Sequence, residues 1–401
     1  MARNATIADR HTLIELWASP EPTIARIGEN DFRDQLAETG HDARPNDIEL
    51  IASLGVDACR YPVLWERNDL KWARPRLERL KERGVDPIVT LLHHGSGPRW
   101  TSLIDPDFPT HFALYAQSVA RAFPWVRRWT PINEPLTTAR FSTLYGHWFP
   151  NLRDDRAFGR AIANSVLAIQ LAFERIRDVN PRAELVLTED LQGFRAADSW
   201  AQQTAEFYRE RSFLSIELVM GRVRPGHPLW TYLTHDAAVS LDALHDIEAR
   251  AVRPHAIGWN WYPYSERVLF RRGGQLVDAG AVTLEGFAIS PRPLLRAAYE
   301  RLGITQAIAE VHRHAPEEER AAWLLERYED ACALASDGVP ISAVGAWAAF
   351  GMVDWDSLLC RRAGVVEDGI FTFARADETP RETAVSRTLR SLAAERRQAA
   401  V

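Results

Sequence analysis

VRRWTPINEP, from Val126 to Pro135, runs to Ile132 as a short, largely apolar segment and then stops on an amide, a carboxylate and a proline. Such a run reads as a buried strand, and Pro135 ends it by removing a backbone donor and restricting the residue before it. Asn133 and Glu134 are thereby expected at a strand end. Seven further runs share this character: TLIELWAS from Thr12, ACRYPVLW from Ala58, DPIVTLLHH from Asp86, AELVLTED from Ala183, AIGWNWYPY from Ala256, QAIAEV from Gln306 and SAVGAWAAF from Ser342. They read as nearly continuous apolar strands, as expected when both faces are covered. Between them lie stretches with apolar residues at helical spacing, such as PNDIELIASLG from Pro45, PTHFALYAQSVARAF from Pro109 and RAFGRAIANSVLAIQLAFERIRDVN from Arg156. Several close on Gly or Asn, the usual helix stops. Eight alternations of strand and helix predict parallel strands closed into a (β/α)8 TIM barrel, an α/β fold, here taken as one catalytic domain over residues 1–401.

Polar residues gather where these runs end: His93 and His94, Asn133 and Glu134, Glu189 and Asp190, Asn260 and Tyr262, and Glu310. Barrel enzymes build their sites on that rim. Polarity resumes at any strand end, so one such residue would carry little weight. Two isolated glutamates ending otherwise apolar runs carry more. In an eight-stranded barrel Glu134 on the fourth run and Glu310 on the seventh point into one mouth. Paired carboxyl groups across a cleft suit glycoside hydrolysis, one protonated to serve the leaving oxygen and one ionised.

The remaining composition excludes more than it suggests. The 401 residues are 46% hydrophobic and 25% charged, with a formal net charge of -6, which gives no reason to expect nucleic acid or an anionic membrane surface as partner. Cys59, Cys332 and Cys360 are too few and too scattered for a disulfide framework or a metal site. No metal and no cofactor is expected. The N-terminal stretch lacks a signal-peptide core and no apolar run is long enough for a bilayer, so the expected location is cytoplasmic. Of the 14 Trp, most are expected in the core.

WTPINEP, read with its strand context and with Glu310, resembles the W-T-x-N-E-P segment of glycoside hydrolase family 1, the β-glucosidase-like (β/α)8 enzymes. The resemblance extends over almost the whole chain. DIELIASLGVDACRYPVLWER is similar to the family's second-strand segment and places Arg60 at its arginine. DPIVTLLHH places His93 at its sugar-binding histidine. IGWNWYPY places Tyr262 where a tyrosine holds the nucleophile, with Asn260 beside it. QAIAEVH resembles the nucleophile strand, and VGAWAAFGMVDW resembles the eighth-strand segment. The resemblance implies Glu134 as acid/base, Glu310 as nucleophile, Tyr262 and Arg60 as its positioning residues, and His93, Asn133, Asn260, Trp347, Asp354 and Trp355 as substrate-binding. The implied activity is that of a retaining β-glycosidase acting on a small-molecule glycoside or oligosaccharide. A transglycosidase using the same two glutamates, and a catalytically poor sugar-binding barrel in a larger assembly, are the alternatives.

The chain also departs from the family pattern. Val311 and His312 follow Glu310 where the family has Asn-Gly, Asp354 is one methylene shorter than the family glutamate, and Glu21 stands near the place of a sugar-binding glutamine. The sugar-reading subsite is therefore expected to be altered. His94 has no assigned role. His312 and His314 are expected as solvated loop residues. Glu189 and Asp190 suit a leaving-group contact or a helix cap equally. RPGHPLWTYL, Arg224–Leu233, is expected as a rim loop, and the Gly-rich 271–290 as a long excursion between the sixth and seventh strands.

Overall fold

Each of the eight apolar runs is a strand in the computed structural model of the protein, whose described residues are 14–399. The stretch read for a leader, and the first two residues of the run from Thr12, lie outside the described residues. The strands are β1 (Glu15–Ala18), β2 (Ala58–Pro62), β3 (Asp86–His93), β4 (Arg128–Asn133), β5 (Glu184–Asp190), β6 (Ala256–Trp261), β7 (Thr305–Val311) and β8 (Ile341–Ala346). They close in the order β1-β8-β7-β6-β5-β4-β3-β2, every neighbour parallel. A (β/α)8 barrel is the result, in the α/β class that the strand and helix alternation predicts.

Helices from the connections cover the outside: α1 (Asp47–Ser53), α2 (Leu70–Glu82), α3 (Phe108–Ala122), α4 (Asp155–Val179), α5 (Leu241–Ala249), α6 (Pro291–Leu302), α7 (Glu317–Ser336) and α8 (Ala384–Ala399). In α4 the side chain of Asp154 caps the first turn by accepting from Ala157 N–H at 2.8 Å. Phe158, Ile162, Val166, Ile169, Phe173 and Ile176 then recur at helical spacing and are buried, each worth about 1.5–3 kcal/mol for the area it removes from water. Among the described residues no helix is long and apolar enough to cross a membrane.

Inside the barrel a separate cluster of Trp17, Ala58, Ile88, Val186, Ala307, Ala309 and Ala343 fills the axis. Most of these are small because the chain is tight there: a Cβ on Gly258 would lie 2.7 Å from the Cβ of Ala309. The two glutamate-bearing strands share an irregularity. On β7, Ile308 and Glu310 oppose Trp259 and Asn260, so one extra residue is inserted at Ala309. On β4, Trp129 and Asn133 oppose Leu185 and Thr188, again one residue in excess. A bulge of this kind re-aims the side chains beyond it. Strict alternation from the inward-facing Ala307 and Ala309 would send Glu310 outward; the bulge returns it to the axis.

The connections above the strand ends add small sheets. A hairpin (Ile24–Gly28 with Asp31–Asp34) follows β1, a two-stranded pair (Met352–Val353 with Val366–Glu367) follows β8, and a three-stranded sheet joins Gly193–Ala196, Glu266–Arg272 and Gln275–Gly280. The Gly-rich excursion thus starts as a hairpin, with Arg271, Arg272 and Gln275–Gly280 in strand, and continues through a short 3-10 turn, Ala281–Thr283. Arg224–Leu233 does not reach the cavity at the barrel mouth; Leu229 and Leu233 are buried against the helices instead.

Candidate active site

Glu134 leaves β4 with φ 45°, in the left-handed region that a residue with a Cβ enters at a cost of order 1 kcal/mol. Pro135 then opens a short helix, Pro135–Thr143. Glu189 at the end of β5 fixes that turn. Its carboxylate accepts from Leu136 N–H at 2.9 Å, Thr137 N–H at 3.4 Å, Thr137 Oγ1 at 3.1 Å and Ser215 Oγ at 2.9 Å. Of its two possible roles Glu189 takes the cap, supplied to the helix after the neighbouring strand rather than to its own loop. The helix amides need such an acceptor, and the strained turn before them needs an anchor.

Glu310 is held at both oxygens. Arg60 Nη1 donates to Oε1 at 2.6 Å and the Tyr262 hydroxyl donates to Oε2 at 2.6 Å. Glu134 has a different setting. Asn260 Nδ2 donates to its Oε1, and His94 Nε2 stands 3.9 Å from its Oε2. Both glutamates line one cavity of about 730 Å3, with Glu21, His93, His94, Asp190, Tyr262, Trp347 and Trp355. Three of the 14 Trp, Trp148, Trp347 and Trp355, line it; the core reading holds for most of the rest.

Burial governs the charges. It pushes the Glu134 carboxyl well above the usual range, and the nearby Glu310, Asp190 and Glu189 push it further. Burial also raises Glu310, but Arg60 and the Tyr262 hydroxyl oppose that shift. Burial and Arg60 push His94 down to about 3, and burial, His94 and Arg60 hold His93 well below its usual value. Both imidazoles are therefore neutral hydrogen-bonding groups at neutral pH. Burial raises Glu21 to about 7; its oxygens accept from Thr23 N–H at 2.9 Å and Trp347 Nε1 at 3.2 Å.

The substrate-binding expectations divide. His93 lies on the cavity wall, its ring stacked on Trp347 at 5.5 Å between centroids and 13° between planes. Trp355 joins the wall beside His94, with ring centroids 5.7 Å apart. Asn133 and Asn260 are fully buried and lie behind the wall. Asn133 Oδ1 accepts from Arg60 Nη2 at 2.6 Å and Thr188 Oγ1 at 2.7 Å, while its Nδ2 faces His93 Nε2 at 3.1 Å and His94 Nε2 at 3.4 Å. They brace the groups that face the cavity. Asp354 is a correction. Its Oδ2 accepts from buried Arg33 at 2.9 Å, its Oδ1 from Val365 N–H at 2.8 Å, and it is not part of the wall. With φ 57° and one methylene too few, the side chain turns to the guanidinium beneath it.

His312 is a second correction. It is buried, with Nδ1 3.1 Å from the Trp347 carbonyl and Nε2 3.2 Å from Glu367 Oε2. His314 is exposed, as expected of a loop residue, and reaches the same Glu367 oxygen at 3.1 Å. Among the described residues no group of three or more His, Cys, Asp or Glu is arranged to hold a metal. Sequence reasoning missed Trp148, Tyr264 and Thr188. Trp148 and Tyr264 sit in loops without periodicity, and their only signal is an aromatic next to a proline or glycine-rich turn.

Residues 23–215, just under half of the chain, match the family model described as glycosyl hydrolase family 1. Curated relatives of the chain include beta-glucosidase A of Thermotoga maritima, 26% identical over 181 residues that make up 41% of this chain and 40% of the relative. Probable inactive beta-glucosidase 14 of Oryza sativa subsp. japonica is 26% identical over 165 residues, 37% of this chain and 32% of the relative. Klotho of Homo sapiens is 30% identical over 141 residues, 30% of this chain and 14% of the relative. The aligned stretches thus span well under half of these relatives. Among solved structures, the Thermotoga maritima beta-glucosidase in complex with cyclophellitol has the same fold, with a TM-score of 0.74 at 17% identity over 88% of this chain and 86% of that one.

Proposed function

We propose that the protein is a retaining β-glycosidase, β-glucosidase-like, acting by double displacement. The observation that carries this reading is the unequal setting of two buried carboxyl groups in one cavity. Glu310 has a guanidinium on one oxygen and a phenol on the other, whereas Glu134 has an amide and a neutral imidazole. Two carboxyl groups that cannot both ionise share one proton, and it rests on the one without the cation. Glu134 is then the acid and Glu310 the ionised partner.

In the first step a Glu310 oxygen attacks the anomeric carbon, the bond to the leaving oxygen breaks, and Glu134 gives that oxygen its proton. In the second, Glu134 as carboxylate takes a proton from water, the water oxygen bonds to the anomeric carbon, and Glu310 is released. Arg60 and Tyr262 hold Glu310 in place through both steps. Asn260 holds Glu134, and Glu189 secures the turn that carries it. Trp347 and His93 offer a stacked aromatic floor suited to a sugar's C–H face.

The test is a panel of aryl β-glycosides differing only in the sugar, with the anomeric form of the first product followed by NMR. Turnover of at least one member with retention supports the reading. An inverted product, or no turnover of any member by folded protein, overturns it.

A further inference from the structure

Three carboxyl groups act on Glu134 through space: Glu310 on β7, and Asp190 and Glu189 at the end of β5. Their settings differ. Glu310 is paired with Arg60. Glu189 has its charge spread over the first amides of the helix Pro135–Thr143 and two hydroxyls. Asp190 has neither a cation nor a helix end. Ser265 Oγ donates to its Oδ1 at 2.9 Å and Gln192 Nε2 to its Oδ2 at 2.8 Å, both neutral groups. Arg140 Nη1 stops one residue short, donating to Gln192 Oε1 at 2.9 Å. Burial raises the Asp190 carboxyl; the donors from Gln192 and Ser265, with Arg140 and Arg267 at a distance, oppose that shift. With a donor on each oxygen, the group is arranged as a carboxylate.

Its position is fixed. Asp190 stands opposite Asn260 in the β5–β6 register, and Leu191 N–H donates to the Asn260 carbonyl at 3.0 Å. Asn260 is the residue whose amide donates to Glu134. Ser265 Oγ also accepts from Tyr262 N–H at 3.1 Å, and Tyr262 holds Glu310. Asp190 is therefore tied to the holders of both glutamates, and it lines the same cavity.

Nothing else that faces Glu134 offsets this charge. His93 and His94 of β3 are held neutral by burial. Burial and the nearby carboxylates hold the Tyr262 phenol of β6 well above its usual range, so it too is neutral. Arg60 of β2 is committed to Glu310 and Asn133, and Arg140 of the following helix to Gln192 and Thr137. We propose that Asp190 is a positioning residue for the acid/base proton: its carboxylate, fixed on the shared wall without a cation, holds that proton on Glu134. Glu310 loses its charge when it bonds to the anomeric carbon, whereas Asp190 keeps its own through both steps. Glu134 therefore still has a like charge beside it when it must take a proton from water. The inference rests on the glycosidase reading for the use of that proton.

Asp190→Asn keeps the size of the side chain and removes its charge. The readout is the infrared carbonyl absorption of protonated Glu134 in the whole chain, assigned by its loss in Glu134→Gln and followed against pH. At the wild-type midpoint, where protonated and ionised Glu134 are equal, Asp190→Asn should lower their ratio roughly tenfold. Asp190→Asn combined with Gln192→Glu separates charge from structure. The new amide can donate to the new carboxylate, which Arg140 still reaches, so the hydrogen bonds and the net charge are kept while the charge moves out beside the guanidinium. The ratio should stay lowered in this double variant. An unchanged ratio in Asp190→Asn, or one that the second substitution returns to wild type, would overturn the inference. For any aryl β-glycoside that is turned over, the basic limb of kcat/KM should move to lower pH in both variants. The infrared ratio itself needs no turnover. A ratio lowered in both variants, with no glycoside turned over, upholds Asp190 and sinks the glycosidase; turnover with retention and an unchanged ratio does the reverse.

Discussion

Arg60 holds Glu310 and Asn133 at once: one terminal nitrogen donates to Glu310 Oε1 and the other to Asn133 Oδ1, each at 2.6 Å. One guanidinium thereby couples the nucleophile proposed on β7 to the strand end that carries Glu134. Because a planar fork fixes both bonds, Arg60→Lys should not be a mild change. It should lower kcat by about two orders of magnitude or more, since misplacing a reacting group by an ångström has that effect. A variant with wild-type kcat on an aryl glycoside that it turns over would show that Arg60 does not position Glu310.

Glu310→Gln should abolish turnover, by several orders of magnitude, because an amide cannot form the glycosyl intermediate. Binding of a thioglycoside should persist. The readout is single-turnover release of an activated phenol, and a near-normal burst would reassign the nucleophile.

Glu134→Ala should impair poor leaving groups far more than activated phenols, which need little protonation in the first step. Azide should restore turnover of the activated substrate and yield a β-glycosyl azide by entering the space the carboxylate leaves. Equal losses across leaving groups, with no azide adduct, would remove Glu134 from the acid/base role.

The pH dependence of kcat/KM should be bell-shaped, with an acid limb from ionisation of Glu310 and a basic limb from loss of the Glu134 proton. Both carboxyls are raised above the ordinary 4.5 by burial, Glu134 the more strongly, so the whole bell should be displaced upward. Glu134→Gln should remove the basic limb. Persistence of that limb in the variant would assign it to another group.

Glu21 provides a test on stability rather than rate. Its carboxyl sits at about 7 in the folded protein because of burial, against 4.5 ordinarily, so between those values the folded state binds the proton that the unfolded state has lost. Stability attributable to this group is complete below pH 4.5 and falls as pH rises towards 7. Glu21→Gln removes that dependence, so the variant should gain on wild type by up to about 3 kcal/mol between pH 5 and pH 8. Urea unfolding at the two pH values measures it. An identical difference at both would mean that Glu21 does not titrate in this window.

The buried pair of Arg33 and Asp354, 2.9 Å apart, should matter to the fold. Asp354→Ala leaves Arg33 with Glu38 as its one charged partner among the described residues, beside the Leu359 and Arg361 carbonyls, and should lower stability by on the order of 3 kcal/mol, the usual effect of breaking such a pair. Thermal unfolding gives the answer; an unchanged melting temperature would return Asp354 to consideration as a sugar ligand.

The barrel was legible from one dimension, because strands buried on both faces must be apolar throughout and helices on a barrel must be apolar on one side. The eight runs that begin near Thr12, Ala58, Asp86, Val126, Ala183, Ala256, Gln306 and Ser342 all became strands for that reason. The glutamates that end two of them, and the histidines, amide and tyrosine around them, were legible too, since polar residues closing apolar strands leave a local mark. What only tertiary structure decided is where side chains turn once neighbours from distant sequence arrive. The bulge at Ala309 returns Glu310 to the axis, and no pattern of apolar and polar residues announces an inserted residue. Glu189 caps a helix more than fifty residues upstream, Asp354 is drawn to Arg33, and His312 is buried between Trp347 and Glu367. Each of these outcomes is a competition among hydrogen-bond partners far apart in the chain. It is settled by which partner the closed barrel brings within 3 Å or so, a distance the sequence does not contain.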